Sequence, residues 1–233
     1  MTVRPGPDHL EAERLGPGRP EAQPDGSGVS PDPGPQVAIL VYPGVNELEL
    51  GLMLGLLSPL GVPGSVGTPG AAALTVARSR GSVLCAGGLV CTPQLIFAAA
   101  PPLAGILVPG GLGAQKAGRD PAVRAVLAQA QAGLIPIGVC GSGLLLVGEA
   151  GLVADRVVGC PAPLADTVWG YLPADLQPDR AVSDVQLGGA ALYSGPGGLN
   201  AVTVILNLAA QVWGAPRVQQ VAQQAGAAWP VGS

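Results

Sequence analysis

A chain of 233 residues with 48% apolar side chains can bury a sizeable core in one or two domains. Only 11% of the residues are charged, but prolines and glycines interrupt the long apolar runs, so no membrane-spanning helix is expected. The net charge of −4, without a basic patch, argues against a nucleic-acid partner.

Four cysteines in a chain of this length do not make a disulfide framework. They form no CxxC pair and have no histidine at a metal-ligand spacing, so neither a metal site nor another cofactor is expected. The N-terminus lacks the apolar core of a signal peptide. We therefore expect a cytoplasmic protein with reduced thiols.

Residues 1–35 differ from the rest of the chain. Eight prolines punctuate them, and six acidic against three basic residues give this segment a charge of −3. It has too few large apolar side chains to bury enough surface for folding. We predict a disordered, Pro/Gly-rich acidic tail at 1–35 and one folded domain at 36–233. The chain's single histidine, His9, lies in the predicted tail, so the folded domain is expected to have none.

The folded part is predicted to begin with a buried strand over 37–42 and a turn. Asn46 then indicates the N-cap of a helix that continues to Leu57. Glu47 and Glu49 both fall in the first turn of this helix. Side chains two residues apart on a helix face different ways, so only one of the two carboxylates is expected to point inward.

The middle of the chain contains short strands and turns. In order, the sequence predicts a loop, a strand, and two short strands around a turn, over 61–70, 73–77, 82–86 and 89–91. Cys85 and Cys91 fall in the two short strands, where we expect them to pack as small apolar side chains. A buried strand over 104–109 follows, and Asp120 then opens a helix.

The stretch 134–153 has the pattern of a buried strand, a tight turn and a helix, and Cys140 stands where the strand stops. Glycines at 138, 141 and 143 let the backbone turn sharply and let another group approach closely. A thiol between a strand's carboxyl end and a helix N-terminus lies in a positive field that favours the nucleophilic thiolate. The alternative is an inert buried cysteine, the commoner fate of a free cysteine. The pattern alone leaves both interpretations open.

The last third of the chain predicts three strands and an apolar helix, at 156–160, 182–187, 190–194 and 199–213, with a short helix within 161–171 and a polar helix within 219–233. Strands alternating with helices predict an α/β fold with a mostly parallel sheet and helices on both faces. Ligands of such sheets bind at the carboxyl ends of the strands. Four candidate residues follow or end predicted strands and are expected to converge on one crevice: Glu49, Gly111, Cys140 and Cys160.

Three segments together resemble the DJ-1/PfpI family of the class I glutamine amidotransferase-like superfamily: residues 39–50, 106–111 and 137–152. The likeness spans about residues 36–214 and is nearest to the branch of isocyanide hydratases and regulator ligand domains. It implies a three-layer flavodoxin-like sandwich with Cys140 as the nucleophile of a strand-helix elbow and Glu49 as the acid on the first helix. It also implies that the backbone N–H groups of Gly111 and Gly141 stabilise an oxyanion.

The chain departs from the family pattern at two places. Cys160 stands where relatives often have histidine, and Gly141 stands where hydratases usually have threonine. A thiol peptidase needs a base, usually histidine, to activate its thiol and protonate the leaving amine, so peptidase activity is not expected. Glu49 would have to transfer the proton instead. Cys160 is either a second thiol that forms a disulfide with Cys140 or a small apolar filler.

These features lead to three functional hypotheses. The first is a cysteine-dependent hydratase or lyase, in which Cys140 attacks a small electrophile such as an isocyanide or a reactive carbonyl. The second is a non-enzymatic redox or ligand-sensing module, and the third is a family member that has lost its activity. In each case the expected partner is a small molecule. The family likeness and the apolar helix at 199–213 also predict a homodimer.

Overall fold

The structure is a computed structural model and describes residues 34–61 and 71–229. The predicted tail at 1–35 lies almost wholly outside the described residues, and so does most of the loop predicted at 61–70. Among the described helices, none has the length and apolar character needed to cross a membrane.

Strands and helices alternate along the described ranges. The strands are β1 (Val37–Leu40), β2 (Ala73–Ala77), β3 (Val83–Leu84), β4 (Val90–Cys91), β5 (Leu95–Ile96), β6 (Gly105–Val108), β7 (Ile137–Cys140), β8 (Val157–Cys160), β9 (Asp175–Pro178), β10 (Val182–Asp184) and β11 (Leu192–Gly195). The α-helices are α1 (Glu47–Leu57), α2 (Ala114–Gly118), α3 (Pro121–Ala132), α4 (Gly143–Glu149), α5 (Ala165–Trp169), α6 (Ala201–Trp213) and α7 (Ala215–Gln224).

The central sheet positions the candidate site. It contains seven strands in the order β10-β11-β7-β6-β1-β2-β5. Every neighbouring pair in it is parallel except β10 with β11. Every residue of β1, β6 and β7 is buried, as expected for strands covered on both faces. The predicted α/β fold with a mostly parallel sheet is confirmed.

The helices divide into two contacting groups. Helices α1, α6 and α7 pack together, and α6 lies on β7 and β11, while α2, α3 and α4 form the other group. The buried residues of α6 include Val204, Ile205 and Leu208, which belong to the core of this chain. The apolar character predicted for 199–213 is therefore explained by the core and requires no second subunit.

Three predicted strands lie outside the central sheet. Two of them, β3 and β4, predicted at 82–86 and 89–91, pair with each other. The strand predicted at 156–160 forms β8, which pairs with β9 in a separate two-stranded parallel sheet. Strand β9 was not predicted, because its sequence contains one buried residue, Leu176, and ends in proline. A buried ion pair connects this region to β10, since Arg156 Nη1 lies 3.2 Å from Asp184 Oδ1.

Candidate active site

The first helix turns an acidic side chain toward the interior. Asn46 caps α1, because its Oδ1 accepts hydrogen bonds from the N–H groups of Leu48 at 3.0 Å and Glu49 at 3.4 Å. Glu49 is buried, with 2% of its surface exposed. Glu47 stays partly exposed and accepts a hydrogen bond from Gly87 N–H at 2.9 Å. The predicted cap is confirmed, and Glu49 is the inward carboxylate.

Both carboxylate oxygens of Glu49 accept hydrogen bonds from other segments. Oε2 accepts from Gly110 N–H, directly after β6, at 2.6 Å. Oε1 accepts from Gly198 N–H, after β11, at 2.8 Å and from Asn46 Nδ2 at 3.3 Å. A buried carboxylate satisfied in this way links the ends of two strands to α1.

The bend after β7 is at Gly141, one residue beyond Cys140. Cys140 still belongs to the parallel ladder, opposite Gly195 of β11. Gly141 has a φ of +54°, in the left-handed region that favours glycine. In a nucleophile elbow the reactive side chain stands on the strained residue of the strand-to-helix turn. In this chain that residue has no side chain.

The space beside the Cα of Gly141 is already occupied. A Cβ at this position would lie 3.1 Å from Glu49 Oε1 and 3.1 Å from the Cα of Gly197. A Cβ at Gly197 would collide with the same carboxylate. Glu49, Gly141 and Gly197 therefore pack in contact at the point where an elbow side chain would stand.

Cys140 is fully buried. Burial, and then the negative charge of Glu49, raise the pKa of the Cys140 thiol well above its usual value. This direction is opposite to the thiolate expected for a cysteine before a helix N-terminus. The physical reason is that α4 is short and begins only at Gly143, while removal from water strongly disfavours a thiolate.

The two amides expected to stabilise an oxyanion have partners inside the protein. Gly141 N–H donates to the carbonyl oxygen of Gly195 at 3.0 Å. Gly111 N–H donates to Ser142 Oγ at 2.8 Å, and this hydroxyl donates in turn to the Gly111 carbonyl oxygen at 3.0 Å. The oxyanion role stays a prediction that requires both amides to change partners.

The fourth candidate residue, Cys160, follows Gly159, whose N–H donates to Ser194 Oγ of β11 at 2.9 Å, and β11 is the strand paired with β7. Cys160 belongs to β8 in the separate sheet, and burial followed by the charge of Asp179 raises the pKa of its thiol. Among the described cysteines, the sulfur–sulfur contact within hydrogen-bond distance is between Cys85 and Cys91, at 3.7 Å. No such contact joins Cys140 and Cys160, so a disulfide between them stays one of the two alternatives for Cys160.

A cavity of about 360 Å³ opens near the carboxyl ends of β1 and β2. Tyr42 forms part of its wall and donates a hydrogen bond to the Pro109 carbonyl oxygen at 2.5 Å. Burial, then the charges of Glu49 and Cys140, raise the pKa of Tyr42. Tyr42 is thus the side chain shared by the cavity and the buried Glu49–Cys140 region. Other lining residues include Arg78, Val83, Phe97, Lys116, Asp120 and Val123.

Solved structures identify the fold. DJ-1beta from Drosophila melanogaster superposes with a TM-score of 0.70 at 18% identity, covering 84% of this chain and 99% of that one. The chain has the DJ-1/PfpI fold. A ThiJ/PfpI family protein from Pseudomonas syringae gives 0.69 at 24% identity, covering 89% of this chain and 82% of that one.

A mutant of a DJ-1 superfamily protein from Salmonella typhimurium gives a TM-score of 0.67 at 23% identity, covering 84% of this chain and all (100%) of that one. No protein-family model matches the sequence, and no curated protein sequence matches it. At these identities the DJ-1/PfpI likeness establishes the fold, and the chemistry has to be argued from the site itself.

Sequence reasoning missed two contributors to this region. Gly198 supplies an amide to Glu49, and Gly197 packs against the same carboxylate. The glycine-rich run directly after the strand predicted at 190–194 is the sequence signal that could have identified these two residues. Tyr42 was included in a strand and carried no functional assignment, because a buried tyrosine has no distinctive sequence pattern.

Proposed function

We propose that this protein is a DJ-1/PfpI family member that lacks the reactive elbow thiol and acts as a non-enzymatic small-molecule sensor. The observation that supports this is the position of Gly141 at the bend after β7. Nucleophilic catalysis needs a side chain that reaches the substrate and a group that activates it. Gly141 has no side chain, and the buried thiol of Cys140 stays protonated at neutral pH because its pKa is raised.

The hydratase or lyase hypothesis requires both Cys140 and Glu49 to leave the arrangement seen in the structure. Cys140 would have to leave the core, lose its proton and attack an isocyanide or a reactive carbonyl, with Glu49 transferring the proton. The oxygens of Glu49 already accept hydrogen bonds from Gly110 and Gly198. Proton transfer would break at least one of these buried bonds, at a cost of about 1–3 kcal/mol.

The cavity beside Tyr42 favours a small molecule with an apolar body and an anionic group. It lies at the end of the sheet where ligands of α/β folds bind. Phe97 and Val123 give it apolar walls, and two of its lining residues, Arg78 and Lys116, are cationic. Arg78 pairs with Asp120 at 3.0 Å, whereas Lys116 makes no ion pair with the described residues. We therefore expect the Lys116 ammonium group to bind the anionic group of the ligand.

Turnover assays test the absence of thiol catalysis. The wild-type protein and the Cys140→Ala variant are incubated with an aryl isocyanide and with a 2-oxoaldehyde, and product formation is followed. We expect equal, background rates for both proteins. Turnover by the wild-type protein that Cys140→Ala abolishes would overturn the proposal in favour of the hydratase hypothesis.

Thermal shift measurements with small aromatic and aliphatic carboxylates test the sensor. A binding carboxylate should raise the melting temperature of the wild-type protein, and Lys116→Ala should reduce this shift. The control is Arg124→Ala, which removes an exposed cation of α3 that does not line the cavity. An absence of shifts, or equal shifts in both variants, would contradict this ligand class.

A further inference from the structure

The hairpin formed by β3 and β4 holds two thiols side by side. Val83 pairs with Cys91 in its antiparallel register, and Cys85 N–H donates to the Leu89 carbonyl oxygen at 2.8 Å. Cys85 and Cys91 are therefore diagonal neighbours on one face of the hairpin. Their sulfur atoms lie 3.7 Å apart. The two sulfur atoms are therefore in direct contact, within reach of a weak S–H···S hydrogen bond.

The two thiols differ in access. Cys85 is buried, with 4% of its surface exposed, whereas Cys91 is half-buried and lines a cavity of about 220 Å³. Burial, then the hydrogen bond with Cys91, raise the pKa of Cys85 to about 11. Cys85 is thus a protonated thiol behind a sulfur that a small molecule can reach through the cavity.

We propose that Cys85 and Cys91 form a reversible dithiol–disulfide site whose oxidant is a hydroperoxide. The Cys91 sulfur attacks the terminal peroxide oxygen, the O–O bond breaks, and an alcohol or water leaves with the Cys91 proton, which gives a sulfenic acid at Cys91. The Cys85 sulfur then attacks the Cys91 sulfur, and one water molecule leaves with the Cys85 proton. Two thiols and one hydroperoxide thus give one disulfide, one alcohol or water and one water.

Closing the pair requires the hairpin to tighten. A disulfide has an S–S distance of about 2.05 Å, so the sulfurs must approach by roughly 1.7 Å. Diagonal neighbours in a hairpin have Cα atoms about 7–8 Å apart, beyond the upper limit of about 6.8 Å for a disulfide, so the hairpin backbone must move closer together. Strands β3 and β4 have two residues each, and the turn between them contains Gly87 and Gly88, so this ribbon can adjust.

The hairpin is connected to the segment that carries Glu49. Gly44 N–H donates to the Leu84 carbonyl oxygen at 2.8 Å, and Ala86 N–H donates to the Val45 carbonyl oxygen at 2.9 Å. Gly87 N–H also donates to Glu47 in the first turn of α1. Tightening the hairpin would therefore act on the start of α1. The site does not use Cys140 and is independent of the sensor function proposed above.

Peptide mapping of the full chain under non-reducing conditions tests the proposal. The protein is treated with one equivalent of hydrogen peroxide or tert-butyl hydroperoxide, alkylated in denaturant and digested. We expect a Cys85–Cys91 cross-link, the loss of two of the four free thiols, and full recovery with dithiothreitol. Sulfinate at Cys91 with Cys85 still free, or a cross-link that contains Cys140 or Cys160, would overturn it.

Matched variants identify the partners. Cys85→Ser should remove the cross-link and let Cys91 proceed to sulfinate, because no resolving thiol remains. Cys140→Ser and Cys160→Ser should leave the cross-link unchanged. Phenylarsine oxide, which bridges two close thiols, provides a second measurement on the reduced wild-type protein. It should protect Cys85 and Cys91 together from iodoacetamide, and protection of neither would contradict the pair.

Discussion

The carboxylate of Glu49 packs against the backbone of Gly141, because a Cβ on that glycine would lie 3.1 Å from Glu49 Oε1. The acid of the first helix and the bend after β7 are therefore neighbours, as the DJ-1/PfpI likeness implies. No side chain stands between them, because the residue at the bend is glycine. In its place the carboxylate accepts hydrogen bonds from Gly110 and Gly198 and holds the strand ends together.

A structural role of Glu49 predicts a loss of stability in Glu49→Gln. The glutamine side chain presents an NH₂ group where one carboxylate oxygen accepted a hydrogen bond, so a donor would face the N–H of Gly110 or Gly198. We expect the free energy of unfolding to fall by about 1–3 kcal/mol, the usual cost of an unsatisfied buried polar group. Urea unfolding at neutral pH measures it.

The matched control is Glu47→Gln in the same helix turn. The partly exposed Glu47 accepts a hydrogen bond from Gly87 N–H, and an amide oxygen can still accept it. We expect a change within about 0.5 kcal/mol, as for most surface substitutions. Equal effects of the two substitutions would show that Glu49 does not hold the strand ends.

Alanine at the bend tests the packing around Gly141. Gly141→Ala places a methyl group at 3.1 Å from Glu49 Oε1 and forces alanine into a left-handed backbone with a φ of +54°. Gly151→Ala is the control, because Gly151 has a φ of +80° but no atom within 4 Å of its Cβ position. The backbone alone costs roughly 1–2 kcal/mol in each variant. We expect Gly141→Ala to lose more unfolding free energy than Gly151→Ala, and equal losses would contradict the crowding.

The stability contributed by Glu149 should depend on pH. The hydrogen bond from Arg119 at 2.9 Å, assisted by Gln115 and Tyr171, lowers the pKa of Glu149 from 4.5 to about 2. A carboxylate whose pKa is lowered by folding stabilises the fold above its ordinary pKa, and this contribution is lost as the pH falls toward the folded value. Glu149→Gln should therefore be less stable than the wild-type protein at neutral pH, and the difference should shrink between about pH 4.5 and pH 2.

Unfolding curves of both proteins across this pH range measure the effect. Asp166→Asn controls for the loss of one negative charge, because Asp166 makes no side-chain hydrogen bond among the described residues. A stability difference for Glu149→Gln that stays constant as the solution is acidified would contradict the role of the Arg119 pair.

The homodimer stays a prediction, and the apolar residues that α6 buries in the core give it no support. Large apolar side chains are exposed on the β3–β4 hairpin: Leu84 is 61% exposed, Leu89 55% and Val90 61%. Burial of such a patch would favour association. Sedimentation equilibrium at micromolar concentration should show a dimer that Leu89→Glu dissociates. Leu187→Glu, at another exposed leucine, is the control, and a monomeric wild-type protein would contradict the prediction.

Local patterns in the sequence determined much of the fold. Asn46 marked the start of α1 because a side-chain oxygen before an apolar helix satisfies its first amides. Gly151, with a φ of +80°, marked the end of α4 because glycine adopts this conformation at no cost. Fully apolar strands between helices indicated a parallel sheet. Each of these signals acts within a few residues, so it can be found without the partner segments.

Tertiary structure alone decided which residue stands at the elbow. Cys140 and Gly141 are adjacent and both fit a strand-to-turn pattern, but the end of β7 is set by its ladder with β11, more than fifty residues later in the chain. The amides that bind Glu49 are likewise non-local, whereas Cys85 and Cys91 meet within one short hairpin that the sequence predicted. The hydrogen-bond ladder between the distant strands β7 and β11 therefore decides whether Cys140 stands at the bend or in the buried strand.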